Sequence, residues 1–133
     1  MGLSSCGADT LHVHYDFVAA SKAVLETLCR YLHYRLRDED VRVNVVRTRF
    51  VATESLAATF GDAFEPFVRR VEPDVFSEPA EVGDAVFAVC SGLFDALGGQ
   101  VLTVDRGAGL DENFSRLFVE RDRHPLRQES QEP

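Results

Sequence analysis

Basic charge is scarce in this sequence. Lysine and arginine number 14 against 22 aspartate and glutamate, a formal net charge of −8. Nucleic-acid binding rests on clustered Lys and Arg that neutralise phosphates, so no nucleic-acid partner is expected. Paired cysteines are missing too. Cys6, Cys29 and Cys90 stand far apart, form no C-x-x-C and are odd in number. They read as reduced thiols of a cytoplasmic protein, not as a disulfide framework. No apolar run approaches the length of a membrane span, so no membrane partner is expected. No basic stretch followed by an apolar run opens the chain, so no signal peptide is expected either. Finally, neither G-x-G-x-x-G nor G-x-x-x-G-x-G occurs. A Gly-rich turn with a helix N-terminus behind it is a standard way to hold a pyrophosphate, and these residues do not provide it.

What is present is the composition of a globular domain, with 45% hydrophobic and 27% charged residues over 133 positions. Met1 to Thr10 has loop composition. Asp16 to Arg37 reads as a long amphipathic helix, because Phe17, Val24, Leu25, Leu28, Tyr31, Leu32 and Leu36 follow the spacing of one face. Asp16 near its start and Arg35 and Arg37 near its end suit the helix dipole. Val41 to Val46 is valine-rich and reads as a strand. Thr48 to Gly61 is mixed, and Asp62 to Val71 is a short helix candidate. Ser77-Glu78-Pro79 opens a second clear helix, with Pro near its first turn and Val82, Ala85, Val86, Val89 and Cys90 on one face. Gly98-Gly99 turns into a second valine-rich strand, Gln100 to Val104. From Val119 the chain is charged and reads as a disordered tail, leaving one domain over 1–118 and a tail over 119–133.

A strand, a helical crossover and another strand make a βαβ unit with parallel strands. Two parallel strands alone make a poor sheet, because such sheets need helices on both faces and neighbours on both sides. The pattern therefore resembles the margin of a larger α/β sheet, with strand Val41 to Val46 expected to expose an edge.

Tyr15 and Lys22 are the first candidates for chemistry. They lie seven positions apart at the start of the long helix, about two turns, so both can share a face. A Lys ammonium near a Tyr hydroxyl favours the phenolate and makes Tyr a usable proton donor to a developing oxyanion or enolate. Spacing alone fits a half-buried Tyr and a solvated Lys as well.

Other segments add to it. Ser4-Ser5-Cys6-Gly7, Tyr15 and Ser21-Lys22-Ala23-Val24-Leu25-Glu26 resemble the active-site stretch of the short-chain dehydrogenases/reductases. Val43-Asn44-Val45-Val46-Arg47 with Val51-Ala52-Thr53, and Gly98-Gly99-Gln100-Val101-Leu102-Thr103-Val104-Asp105, resemble later motifs of that family in order and spacing. In the common form of the family Tyr precedes Lys by four positions, and here that position is Val18. The seven-residue spacing is similar to that of the enoyl-acyl-carrier-protein reductases. The resemblance implies an α/β fold: the C-terminal portion of a doubly wound, Rossmann-type parallel sheet without its N-terminal dinucleotide-binding strands. It implies NADPH or NADH as cofactor and an acyl thioester or other small enoyl or carbonyl substrate. It makes Tyr15 the stabiliser of an enolate, Lys22 the holder of the nicotinamide ribose, Ser5 a substrate-side residue and Thr53 a pyrophosphate contact. It also implies oligomerisation through helix 16–37, which matches the one in the family's four-helix dimer interface.

The departures are specific. Thr48-Arg49 stands where the family has Pro-Gly beside the nicotinamide, and the residues leave open whether Arg49 enters that space or turns away. Arg106 replaces a Gly of the closing Asp-Gly-Gly. His12 and His14 read as loop residues lining the substrate side or solvent, and no metal site is expected. Leu56, Phe60, Phe64, Phe67, Val71 and Phe76 fit an apolar lid over an acyl chain, or equally a segment packed on its own core. Three readings follow: a reductase whose cofactor half lies on another polypeptide, a non-catalytic remnant or subunit docking on an intact homologue, or part of a longer product.

Overall fold

The computed structural model describes residues 1–110 and 113–119. The expected parallel sheet is present and has three strands, β1 (Gly2–Ser5), β2 (Val45–Thr48) and β5 (Val101–Val104), in the order β1-β2-β5. Both pairings are parallel, with Leu3 opposite Val46 and Val46 opposite Leu102. Helix α1 (Asp16–Leu36) joins β1 to β2, and α4 (Pro79–Cys90) precedes β5. Between β2 and α4 lie β3 (Phe50–Val51), α2 (Glu54–Phe60), α3 (Phe64–Val71) and β4 (Phe76–Ser77), with β3 and β4 paired in parallel as a separate two-stranded sheet. Helix α5 (Asn113–Val119) follows β5. The expected tail beyond Val119 lies outside the described residues.

Several boundaries differ from the sequence expectation for local reasons. Gly2–Ser5 is a strand although Met1 to Thr10 has loop composition, because its ladder with β2 outweighs the weak propensity of small residues. Regular pairing of β2 begins at Val45 and not at Val41. Of the preceding carbonyls, Val43 O accepts from Gly99 N–H of the turn before β5 at 2.8 Å, and Asn44 O accepts from Gly2 N–H at the start of β1 at 2.9 Å. The strand expected at an exposed edge is in fact the central one, flanked by β1 and β5. Its Val45 and Val46 are the most deeply buried valines among the described residues, at 1% and 0% exposure.

Asn44 explains how the sheet is closed at that end. The side chain is buried, its Nδ2 donates to Leu97 O at 2.9 Å, and its Oδ1 accepts from Gln100 N–H at 3.0 Å. It thus ties the entrance of β2 to the turn that starts β5. Gly98 and Gly99 form that turn against the His33 imidazole, and a Cβ at Gly98 would collide with the ring. Helix α4 starts at Pro79, with Glu81 Oε2 accepting from Glu78 N–H at 2.8 Å, a helix start legible in Ser77-Glu78-Pro79. Arg106 adopts a left-handed backbone, with φ of +54°, and pairs with Glu81.

Helix α1 inverts the usual arrangement. The face turned to the sheet carries buried Glu26 and Cys29. The apolar stripe read from the sequence faces mostly outward: Phe17, Val24, Leu28, Tyr31 and Leu32 are all exposed, and only Leu25 and Leu36 of that set are half-buried. On α4, Val82, Ala85, Val86 and Val89 are half-buried, whereas Cys90, expected on the same face, is exposed.

Candidate functional site

Four parts of the chain meet at the C-terminal end of the parallel strands, where ligands of open α/β sheets bind. β1 ends at Ser5, whose Oγ accepts from Gly7 N–H at 3.3 Å and caps the 3₁₀ turn Cys6–Ala8. Gly7 is buried, and a Cβ there would stand 2.6 Å from Tyr15 Cε1. Only a glycine lets the Tyr15 ring lie against this turn, which gives the Ser-Ser-x-Gly pattern a physical reason. Tyr15 is the residue before the first turn of α1, and its ring stacks on Phe60 of α2 with centroids 6.4 Å apart.

The cleft between these elements is small, about 40 Å³. Ser5, Cys6, His12, Tyr15 and Arg49 supply its polar lining, and Phe50, Leu56 and Phe60 its apolar wall. Phe60 stacks on Phe64, Phe64 meets Phe50 edge-on, and Phe50 packs on buried Phe76. The candidate lid therefore divides. Leu56 and Phe60 face the cleft, Phe64 and Phe76 back them, and Phe67 is exposed.

The residues singled out from the sequence do not all converge. Ser5 and Tyr15 share the cleft. Lys22 does not line it, and its Nζ donates to Leu3 O on β1 at 3.0 Å. Thr53 is exposed, and its Oγ1 accepts from Leu56 N–H at 3.3 Å, capping α2. Arg49, left open by the sequence, enters the cleft while its Nη1 donates to Ala108 O at 2.6 Å. Cys6 was not singled out from the sequence, and nothing in its spacing marks it. Its Sγ lies 3.3 Å from His12 Nε2. Burial pushes the Cys6 thiol up, partly offset by a hydrogen bond with Ser5 and the Arg49 charge. Burial and Arg49 together lower the His12 imidazole. Among the described residues, no group of three or more His, Cys, Asp or Glu is placed to hold a metal ion.

Behind the cleft, α1 is fastened to the sheet by charge. Arg47 on β2 donates from Nε to Glu26 Oε1 at 2.9 Å and from Nη2 to Oε2 at 2.5 Å. Ser4 Oγ donates to Glu26 Oε1 at 2.6 Å, and Arg47 Nη1 reaches Asp9 at 2.5 Å. Burial alone would raise the Glu26 carboxyl, but hydrogen bonds from Arg47 and Ser4 and the Arg47 charge hold it below its ordinary value. The same contacts raise Arg47.

The sequence profile of the family described as enoyl-(acyl carrier protein) reductase matches residues 1–109. The chain belongs to this branch of the short-chain dehydrogenases/reductases. It is 32% identical over 120 residues to the enoyl-[acyl-carrier-protein] reductase [NADH] FabI of Aquifex aeolicus (strain VF5), covering 86% of this chain and 43% of that protein. It is 25% identical over 111 residues to the 7alpha-hydroxysteroid dehydrogenase of Escherichia coli (strain K12), covering 83% and 43%. Among solved structures, a 7alpha-hydroxysteroid dehydrogenase complexed with NADH and 7-oxo glycochenodeoxycholic acid superposes with a TM-score of 0.70 at 25% identity, over 80% of this chain and 44% of that one. A protein from Thermus thermophilus shares the fold at a TM-score of 0.69 and 22% identity, over 82% and 47%. The chain thus spans under half the length of the relatives it matches.

The family's nicotinamide cofactor finds a poor fit to these residues alone. The Arg49 side chain stands in the cleft where the family has glycine. Lys22 is engaged by the Leu3 carbonyl and Thr53 by the cap of α2. No Gly-rich turn is present in the 133 residues to hold a pyrophosphate. Ser5 and Tyr15 thus share a cleft, whereas Lys22 and Thr53 lie outside it.

Proposed function

We propose that this chain forms the substrate side of an NAD(P)H-dependent oxidoreductase site acting on enoyl thioesters. The phosphate-binding side is supplied by another polypeptide or by further residues of a longer product. The observation that carries this reading is Tyr15, seven residues before Lys22, held by Gly7 and Phe60 in one small apolar cleft with Ser5. In this role the Tyr15 hydroxyl donates to the substrate carbonyl oxygen as it gains enolate charge, and Ser5 Oγ adds a second polar contact. Phe50, Leu56 and Phe60 keep water from the acyl group, which strengthens those hydrogen bonds. At about 40 Å³ the cleft suits only the small reacting end of an acyl group, with the rest of the chain lying outside it. Lys22 and Thr53 are the residues that family resemblance assigns to the nicotinamide ribose and the pyrophosphate. Their present partners fit a site that is completed only when the other half is added.

Two features support assembly with another chain. Among the described residues, the outer side of β1 pairs with no strand, so a further parallel strand can add there. The outward stripe of α1, with Phe17, Val24, Leu28 and Tyr31 exposed, suits a helical partner. The same stripe favours a second reading, a non-catalytic subunit that docks on an intact homologous reductase, and Arg49 in the cleft favours it too.

Complementation separates the two readings. The chain is mixed with a separately produced cofactor-binding half of the Aquifex reductase, and crotonyl thioester reduction is followed through NADH absorbance. Turnover is expected in the mixture and not with either part alone. Tyr15→Phe then lowers it by roughly a hundredfold or more, the scale of a positioned proton donor. Turnover unchanged by Tyr15→Phe refutes the assigned role, and no turnover in a stable mixed complex favours the non-catalytic reading.

A further inference from the structure

The described residues carry three free thiols in three different settings. Cys29 is buried in the α1–sheet contact and donates to Val43 O at 3.3 Å, so it is out of reach of reagents. Cys90 is exposed at the end of α4. Cys6 is half-buried in the cleft, 3.3 Å from His12 Nε2, with aromatic and aliphatic walls around it. His12 is held there by edge-on contacts with Tyr15 at 5.9 Å and Phe50 at 5.8 Å between ring centroids. A thiol, a nitrogen base in contact with it and an apolar cleft that opens on both are the parts of an activated nucleophile.

We propose that Cys6 and His12 form a thiol–imidazole pair that captures short, uncharged α,β-unsaturated carbonyl compounds by conjugate addition within the cleft. The Sγ electron pair forms a bond to the β-carbon while the thiol proton passes to His12 Nε2. The alkene π pair moves to the α-carbon and carbonyl oxygen, giving an enolate beside the Arg49 guanidinium and the Tyr15 hydroxyl. The proton then returns from His12 to the α-carbon, leaving a thioether and a neutral imidazole. No oxidant, reductant or cofactor enters the balance. The reaction is independent of nicotinamide and of any hydride transfer, so it stands apart from the reductase reading.

The charged and titratable groups around the thiol set its pH behaviour. Asp9 lies on its own segment, Arg47 and Arg49 approach from the β2 side, and His12 and Tyr15 from the segment entering α1. Burial raises Cys6 and lowers His12, so near neutral pH both are uncharged, and with His12 protonated at Nδ1 the pair is S–H···N. Capture then depends on proton transfer to His12 during bond formation, and not on a preformed thiolate. That distinguishes Cys6 from a solvent-exposed thiol, whose rate follows its thiolate fraction.

The test uses the full chain with methyl vinyl ketone at neutral pH, with adducts quantified at each cysteine by peptide mass spectrometry. Cys6 is expected to react faster than the more exposed Cys90 in the folded protein, with the difference lost in urea. His12→Gln is expected to slow Cys6 by roughly a hundredfold, the scale of general-base assistance, while the Cys90 rate stays constant as an internal check. If His12→Gln disturbs folding, Cys29 becomes reactive in the same digest. The wild-type comparison of Cys6 with Cys90, folded and in urea, then decides alone. A folded-state rate at Cys6 below that at Cys90, or a Cys6 rate unchanged in a folded His12→Gln protein, overturns the proposal.

Discussion

The two faces of helix α1 carry opposite chemistry in opposite places. The face against the sheet holds a carboxylate, Glu26, at 4% exposure, and the face toward solvent holds Phe17 at 87% and Tyr31 at 60%. The inner face is self-sufficient. Each Glu26 oxygen is hydrogen-bonded, and Arg47, Ser4 and Asp9 close the network. The outer face has apolar area with nothing from the described residues covering it. One side of the helix is thus packed within this chain, and the other is left exposed among the described residues. The same division runs through the site, where Ser5 and Tyr15 share a cleft while Lys22 and Thr53 are turned to structural tasks.

Breaking the inner face has the largest expected effect. Glu26→Ala leaves half-buried Arg47 with only the exposed Asp9 carboxylate as partner and should cost about 2 to 3 kcal/mol of folding stability, measured by urea unfolding. The pH dependence follows from the lowered Glu26 carboxyl. Its stabilisation is fully present above the ordinary carboxylate range and is lost as pH falls through the depressed folded-state value. Wild-type stability should therefore drop on acidification below about pH 4, and Glu26→Gln should flatten that drop. An acid limb equally steep in Glu26→Gln would assign it to other carboxylates.

The outer face gives the next largest effect. If α1 associates through its exposed stripe, Leu28→Glu should weaken self-association by about 2 kcal/mol, roughly thirtyfold in dissociation constant, by sedimentation equilibrium. Monomer stability should hardly change, because Leu28 is already half exposed. A wild-type chain that stays monomeric at high concentration would remove α1 as a contact between copies. The smallest effect belongs to Thr53. As the cap of α2 it should lose about 1 kcal/mol on replacement by Ala, seen as a small shift in thermal midpoint.

The fold was legible in the sequence wherever a pattern had one cause. Glu78-Pro79 with Glu81 reads as a helix start because capping is local, and β5 reads as a strand because valines after Gly98-Gly99 leave few alternatives. The stripe of α1 was equally visible, but its outward direction was suggested by the family resemblance and not by its pattern. Periodicity shows that apolar residues share a face and cannot say what covers it. β1 was missed by composition because Gly2–Ser5 is a strand only through its pairing with β2. Ser5 and Tyr15 were singled out through the family resemblance, and both line the cleft. The partners of Lys22 and Thr53, the entry of Arg49 into the cleft and the Cys6–His12 contact depend on tertiary placement. Gly7 stood in the quoted motif, yet its reason, the Tyr15 ring packed against it, appears only in three dimensions.

The central claim is that the substrate side of the site is built into these residues and the dinucleotide side is not. Titrating the isolated chain with NADH and with NADPH, followed by nicotinamide fluorescence, tests it most directly. The account predicts no saturable change with either nucleotide. Saturable binding in the micromolar range by the chain alone would contradict it.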